Sequence, residues 1–147
     1  MRNSLTTRLS LWLPVAIWMG IIFFLSSRPD LPMPEDDLLS RIVSSAGHAG
    51  VFGMLMVLLL RAIAGGFRWV LPKQALLSFA LTMAYALFDE FHQAFVPNRM
   101  PDIVDLIVDA VGAGIAFLGW QPLTQTISQR ERAFRASSSS AAIDKTD

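Results

Sequence analysis

The sequence of 147 residues contains no cysteine. This absence excludes disulfides, thiolate zinc sites and cysteine nucleophiles. Charged residues are also scarce, at 16% against about a quarter in an average soluble domain. The 12 basic and 12 acidic residues cancel, so nothing indicates a nucleic-acid partner. What the chain has instead is apolar sequence, because 53% of its residues are hydrophobic, a balance typical of an integral membrane protein.

Apolar runs long enough to cross about 30 Å of hydrocarbon occur four times. They predict an all-α, four-transmembrane-helix bundle with spans at about 9–26, 46–64, 74–96 and 102–120. The first run holds 17 residues without a charge, which exceeds the roughly 7–15 residues of a signal-peptide core, and no A-x-A-like cleavage site follows it. We therefore expect a retained helix. Residues 1–120 form the predicted membrane domain, and residues 121–147 read as a polar, largely disordered cytoplasmic tail.

Basic residues predict the orientation of the bundle. Four spans place both termini on one side, and that side carries nine Lys and Arg residues. The other side carries three, Arg28, Arg41 and Arg99. The positive-inside rule therefore predicts cytoplasmic termini and a short extracytoplasmic turn between the third and fourth helices.

The densest polar stretch runs from Asp89 to Gly112, at that predicted outer turn. It places nine ionisable or amide side chains within 21 residues: Asp89, Glu90, His92, Gln93, Asn98, Arg99, Asp102, Asp105 and Asp109. Charge is costly between lipid-length apolar runs, so such groups are either functional or paired internally.

Helical periodicity predicts which of these groups converge. At 100° per residue, Asp102, Asp105, Asp109 and Gly112 form one stripe about 80° wide on the fourth span. Glu90 and Gln93 share the inward face of the third span, whereas His92 points to the opposite face. His48 opens the second span at the same side of the membrane. The predicted functional cluster therefore comprises His48, Glu90, Gln93, Arg99, Asp105 and Asp109.

Arg99 is the only cation among these acidic residues, and we expect it to neutralise at least one of them. Under the competing interpretation the cluster has only a structural role, in which the guanidinium forms an ion pair with a buried carboxylate and stabilises the bundle.

The same residues resemble the VanZ-like family of small bacterial membrane proteins. That family carries a pattern near E-x-x-Q-x-F-x-P-x-R-x-x-D-x-x-D-x-x-x-N-x-x-G. The chain matches it with Glu90, Gln93, Phe95, Pro97, Arg99, Asp102, Asp105 and Gly112, and has Asp109 in place of Asn. Ile22 to Pro29 resembles the family's I-F-x-L-S-S-x-P pattern. Of a D-K-x-x-H-x-x-x-Y pattern only His48 is present, with Ser44, Ser45 and Phe52 in the other positions.

The resemblance covers roughly residues 11–120. It implies a multi-pass protein of the bacterial cytoplasmic (inner) membrane that faces outward and is linked to tolerance of teicoplanin-type glycopeptide antibiotics. It implies no particular reaction.

Two functions are compatible with these residues. In the first, the cluster binds or shields a lipid-linked envelope component or an amphiphilic glycopeptide, with membrane lipids or lipid-linked cell-wall intermediates as partners. In the second, the protein is a membrane-embedded enzyme acting on a lipid or cell-wall precursor. Glu90 or Asp109 would then be the acid–base group, and Asp105 with His48 would hold a divalent cation. The binding function requires no cofactor, and the sequence leaves a homo-oligomer open.

The orientation is testable with reporter fusions. A reporter active only outside the cytoplasm should be active after Asn98 and silent after Gly66, because the basic residues favour cytoplasmic termini. Reporter activity normalised to fusion-protein level is the measurement. The reverse pattern would contradict the outward placement of the polar cluster.

Overall fold

The described part of the computed structural model comprises residues 4–29, 37–66, 71–97 and 99–120. It contains four helices, α1 (Ser4–Ser26), α2 (Asp37–Gly66), α3 (Leu71–Gln93) and α4 (Ile103–Trp120). Each is long and apolar enough to cross a membrane, which confirms the predicted all-α fold with four membrane-spanning helices. The predicted tail, 121–147, lies outside the described residues. The chain divides into two units, Met1–Phe117 and Leu118–Asp147, and the site lies in the first.

The distribution of polarity in α3 and α4 is the inverse of that in a water-soluble bundle. The buried residues of α3 are all small or polar: Ser78, Thr82, Ala86, Asp89, Glu90 and Gln93. In α4 the fully buried positions include Asp109 and Ala113, whereas Ile107, Val111 and Ile115 are exposed. Because lipid solvates large apolar side chains as well as a protein interior does, small and polar residues are the ones that helix contacts retain.

The apolar core is contributed mainly by α2. Phe52, Leu55, Met56, Leu60 and Ile63 are completely or almost completely buried. Buried residues of α1 and α3 pack against this helix in one cluster with Phe52 and Leu55. The helix is continuous from Asp37, so the residues that precede the predicted second span at 46 extend that same helix.

Side-chain hydrogen bonds to main-chain carbonyls connect the helices. The indole Nε1 of Trp18 donates to the Val51 carbonyl over 2.8 Å, and the Tyr85 hydroxyl donates to the Met19 carbonyl over 2.6 Å. Pro14 lies inside α1 and has no N–H for the Ser10 carbonyl. The Arg61 guanidinium of α2 approaches that carbonyl at 3.4 Å, so a neighbouring helix supplies a donor that the proline lacks.

A close approach between main chains joins α2 to α4. A Cβ atom added to Gly112 would overlap the main chain of Ala49 and lie 2.7 Å from its Cα. One turn along each helix, a Cβ added to Gly53 would lie 3.1 Å from the Gly112 carbonyl oxygen and 3.8 Å from the Ala116 Cβ. Each helix therefore has two small residues four positions apart at this contact, Ala49 and Gly53 on α2 and Gly112 and Ala116 on α4. This spacing of small residues permits main-chain contact between membrane helices.

Gly112→Ala should destabilise the bundle, because the added methyl group meets main chain that cannot rotate away. We expect a loss of about 1–3 kcal/mol, typical of overpacking, measured as a lower melting temperature in detergent. Gly114→Ala is the matched control, since a Cβ there meets nothing within 4 Å and alanine favours a helix. Equal stability of the two variants would contradict the proposed α2–α4 contact.

Candidate functional site

A histidine on α2 lies between two aspartates on α4. His48 Nδ1 is 3.2 Å from Asp109 Oδ1, and His48 Nε2 is 3.6 Å from Asp105 Oδ2. Asp109 is fully buried, whereas Asp105 remains partly exposed. The two aspartates are four residues apart and therefore face α2 from successive turns of α4.

Glu90 of α3 reaches the beginning of α4. Its Oε2 accepts a hydrogen bond from the main-chain N–H of Asp102 over 2.8 Å. Asp102 in turn caps the helix, because its Oδ1 accepts from the N–H of Val104 over 2.8 Å. In a capping box the glutamate belongs to the helix that it caps. Here it comes from α3, so the cap also joins the two helices.

Asp89 contacts Gln93 and is buried, although helical periodicity placed only Glu90 and Gln93 on the inward face of this helix. Gln93 Nε2 donates to Asp89 Oδ2 over 2.9 Å, and both side chains are almost completely buried. The cluster predicted from the sequence contains Gln93 but omits Asp89. The i, i+4 spacing of the two residues on a helix was the signal that could have included it.

Three buried carboxylate oxygens have no hydrogen-bond partner among the described residues. They are Asp89 Oδ1, Glu90 Oε1 and Asp109 Oδ2. Burial of a polar atom without a partner costs free energy. Two of these residues, Glu90 and Asp109, lie beside His48, and such unpartnered oxygens are typical of a site that receives a further group.

Arg99 does not form the expected ion pair within the described part of the chain. Its Nε and one terminal nitrogen donate to the main-chain carbonyl of Arg28, over 3.4 and 3.3 Å. The contacts between basic and acidic side chains found among the described residues are those of the His48 imidazole with Asp105 and Asp109. Arg99 lies in the turn after α3 and contacts the segment that follows α1. The basic side chain that contacts these carboxylates is therefore that of His48.

His92, the second histidine of the chain, lies outside the cluster. Its Nε2 is 3.0 Å from the Ser27 hydroxyl, and its ring stacks on Phe23 with centroids 4.4 Å apart. It therefore contributes to the contact between α3 and the end of α1.

A cavity of about 380 Å³ adjoins the cluster on the side of α1. Its apolar wall consists of Ile22, Leu25, Val43, Val51 and Phe52, with Gly47 between them. Its polar lining consists of Ser26, Ser44, His48, Asp89, Gln93 and Arg99. Ser26 and Ser44 were not predicted as site residues, although Ser26 belongs to the I-F-x-L-S-S-x-P pattern and Ser44 stands at the first position of the D-K-x-x-H-x-x-x-Y pattern. His48 is shared by the cavity and the aspartate pair, so it connects them.

Within the described residues, His48, Glu90 and Asp105 could together hold a metal ion. Each offers one ligand atom, and the three atoms lie within 4.8 Å of one another.

The fold and the site define a multi-pass membrane protein in which a buried carboxylate–histidine cluster adjoins a cavity with apolar and polar walls. A sequence model of the VanZ/LLP1 family matches residues 11–125. The chain therefore belongs to the VanZ/LLP1 family, as the resemblance of its polar stretch indicated. No curated protein and no solved structure matches the chain.

The cap at the start of α4 can be tested at Asp102. Asp102→Ala should lower stability by about 0.5–2 kcal/mol, because the N–H of Val104 loses its acceptor. Asp102→Asn should retain most of the stability, since an amide oxygen also caps a helix. Melting temperature in detergent is the measurement. If the two variants lose equal stability, the charge of Asp102 and not its hydrogen bond is what stabilises the helix.

Proposed function

We propose that this protein binds or shields an amphiphilic envelope component in the bacterial inner membrane, either a lipid-linked cell-wall intermediate or a teicoplanin-type glycopeptide. The observation that carries this proposal is the cavity beside His48. It joins an apolar wall to a buried carboxylate, Asp89, and to a partly buried guanidinium, Arg99. Ligand pockets generally combine a mostly apolar lining with a few polar groups that orient the ligand.

The cavity volume limits what is bound inside it. About 380 Å³ is at the small end of the range of roughly 300–1,000 Å³ for ligand pockets. It suits one segment of an amphiphile, where a lipid chain joins its polar group, and is too small for a whole glycopeptide. A glycopeptide would insert its apolar tail and leave its peptide outside.

The polar lining provides complementary contacts for a head group. Arg99 uses two of its five N–H groups on the Arg28 carbonyl, at long distances of 3.3 and 3.4 Å. Its guanidinium can therefore bind an anionic group. Asp89 Oδ1 has no partner among the described residues and can accept from an amine or hydroxyl group.

A second function, an enzyme acting on a lipid or cell-wall precursor, is favoured by one specific observation. Glu90 Oε1 and Asp109 Oδ2 are both buried without a partner among the described residues. A carboxyl group with a free oxygen in a water-poor site can take or give a proton to a bound substrate. Glu90 and Asp109 are therefore the candidates for acid–base chemistry, with Asp105 beside them.

Glu90→Gln separates a functional cluster from a structural one. The amide can still accept the Asp102 hydrogen bond, so we expect normal accumulation in the membrane. We also expect the parent protein to confer teicoplanin tolerance on a sensitive host and Glu90→Gln to lose it. Membrane level by immunoblot and drug susceptibility are measured together. His92→Gln is the matched control, because His92 lies on the same helix but outside the cluster.

Full protection by Glu90→Gln would show that the charge of Glu90 has no part in the function. Failure of Glu90→Gln to accumulate would show that the cluster is structural. Mass spectrometry of lipid that co-purifies with the parent protein then separates the two functions. Recovery of an intact amphiphile after prolonged incubation supports binding, and recovery of a chemically altered one supports an enzyme.

A further inference from the structure

The two ring nitrogens of His48 have different surroundings. Nδ1 is within hydrogen-bond distance of Asp109 Oδ1, at 3.2 Å, and Asp109 is buried. When Nδ1 carries the proton, Nε2 presents its lone pair on the side of Asp105 Oδ2, 3.6 Å away. A lone pair facing a carboxylate is repulsive unless a proton or a metal cation lies between them. Metal-binding histidines in proteins commonly donate their second N–H to a carboxylate in this way, which fixes the orientation of the ring.

Glu90 supplies a third donor near the same point. Its Oε2 is occupied by the Asp102 N–H, which orients the carboxylate. Its Oε1 is buried and has no partner among the described residues, and the residue as a whole is 6% exposed. A buried oxygen of this kind in a cluster of acidic groups is an independent sign that a ligand is accommodated there.

The spacing of the donors fits a metal ion. One ligand atom from each of His48, Glu90 and Asp105 lies within 4.8 Å of the other two. Metal–ligand bonds of about 2.1 Å place pairs of ligands roughly 3.0–4.2 Å apart. The distance of 3.6 Å between His48 Nε2 and Asp105 Oδ2 is already within that range. Side-chain movements of a few tenths of an ångström would bring in the third donor.

The charge of the cluster also favours a cation. Glu90, Asp105 and Asp109 surround a single imidazole, and the Arg99 guanidinium is bonded to the Arg28 carbonyl. Three carboxylates at membrane depth are costly without compensation. A dication bound to two of them would compensate most of that charge.

We propose that His48 Nε2, Asp105 and Glu90 bind one divalent cation, with Asp109 as the positioning residue for His48. One imidazole nitrogen and two carboxylate oxygens suit Mn²⁺ or Zn²⁺ better than the all-oxygen coordination typical of Mg²⁺ and Ca²⁺. This cation site adjoins the cavity of the proposed function through His48, but cation binding does not depend on that function. Metal binding is measured without any lipid or drug, so the two proposals can fail separately.

The test uses the full-length protein, extracted in detergent and stripped with a chelator. We expect it to take up one Mn²⁺ or one Zn²⁺ per chain, measured by elemental analysis after gel filtration. Pulsed electron paramagnetic resonance of the Mn²⁺ form should show coupling to a histidine nitrogen. The chain has two histidines. The coupling should therefore persist in His92→Gln and disappear in His48→Gln.

Substitutions on α4 provide a second, matched comparison. Asp105→Asn should weaken Mn²⁺ binding at least ten-fold, and Asp109→Asn should weaken it by about 10–100-fold through loss of the ring orientation. Asp102→Asn should leave binding unchanged, since Asp102 caps the helix and is not a ligand.

Absence of a stoichiometric ion in the parent protein would overturn the proposal, as would Mn²⁺ binding without a histidine nitrogen signal. Both measurements use only the parent protein, so they decide the question even if a variant fails to accumulate.

Discussion

The contact between the main chains of Ala49 and Gly112 is the constraint on which the site depends. His48 precedes Ala49 directly, and Asp109 lies one turn before Gly112, so the approach of these two helices sets the distance between the histidine and the aspartates. A side chain at Gly112 would separate α2 from α4 and open the 3.2 Å contact between His48 and Asp109. A steric requirement of packing and an electrostatic requirement of the site are therefore met at the same place.

The cluster is also linked to the beginning of α4 through Glu90. Helix termini leave main-chain N–H groups without partners in their own helix. Glu90 and Asp102 satisfy two of these groups. Glu90 thereby contributes to stability through one oxygen, while its other oxygen remains without a partner among the described residues. One residue can therefore be both structural and functional.

Lipid as solvent explains why so few apolar residues are buried in α3 and α4. Ile107, Val111 and Ile115 lose nothing by facing hydrocarbon, so helix contacts retain glycine, alanine, hydroxyl groups and carboxylates. Ser78 and Thr82 direct their hydroxyl groups to carbonyls of their own helix, which makes them tolerable at buried positions. Polar groups are therefore concentrated inside the bundle, where they can form a site.

The sequence by itself determined the four helices, because the length of an apolar run and the thickness of a bilayer depend on no tertiary contact. It also determined the family, through the spacing of polar residues between Glu90 and Gly112. Helical periodicity placed Asp105 and Asp109 on one stripe, and both face His48 in the structure. The partner of each charge was decided only by tertiary structure. Arg99 is bonded to the Arg28 carbonyl, and Asp89 is buried against Gln93. Periodicity gives the direction of a side chain from its own helix axis, whereas pairing depends on how closely two axes approach and on the path of the turn between them. Both of these are properties of the packed bundle.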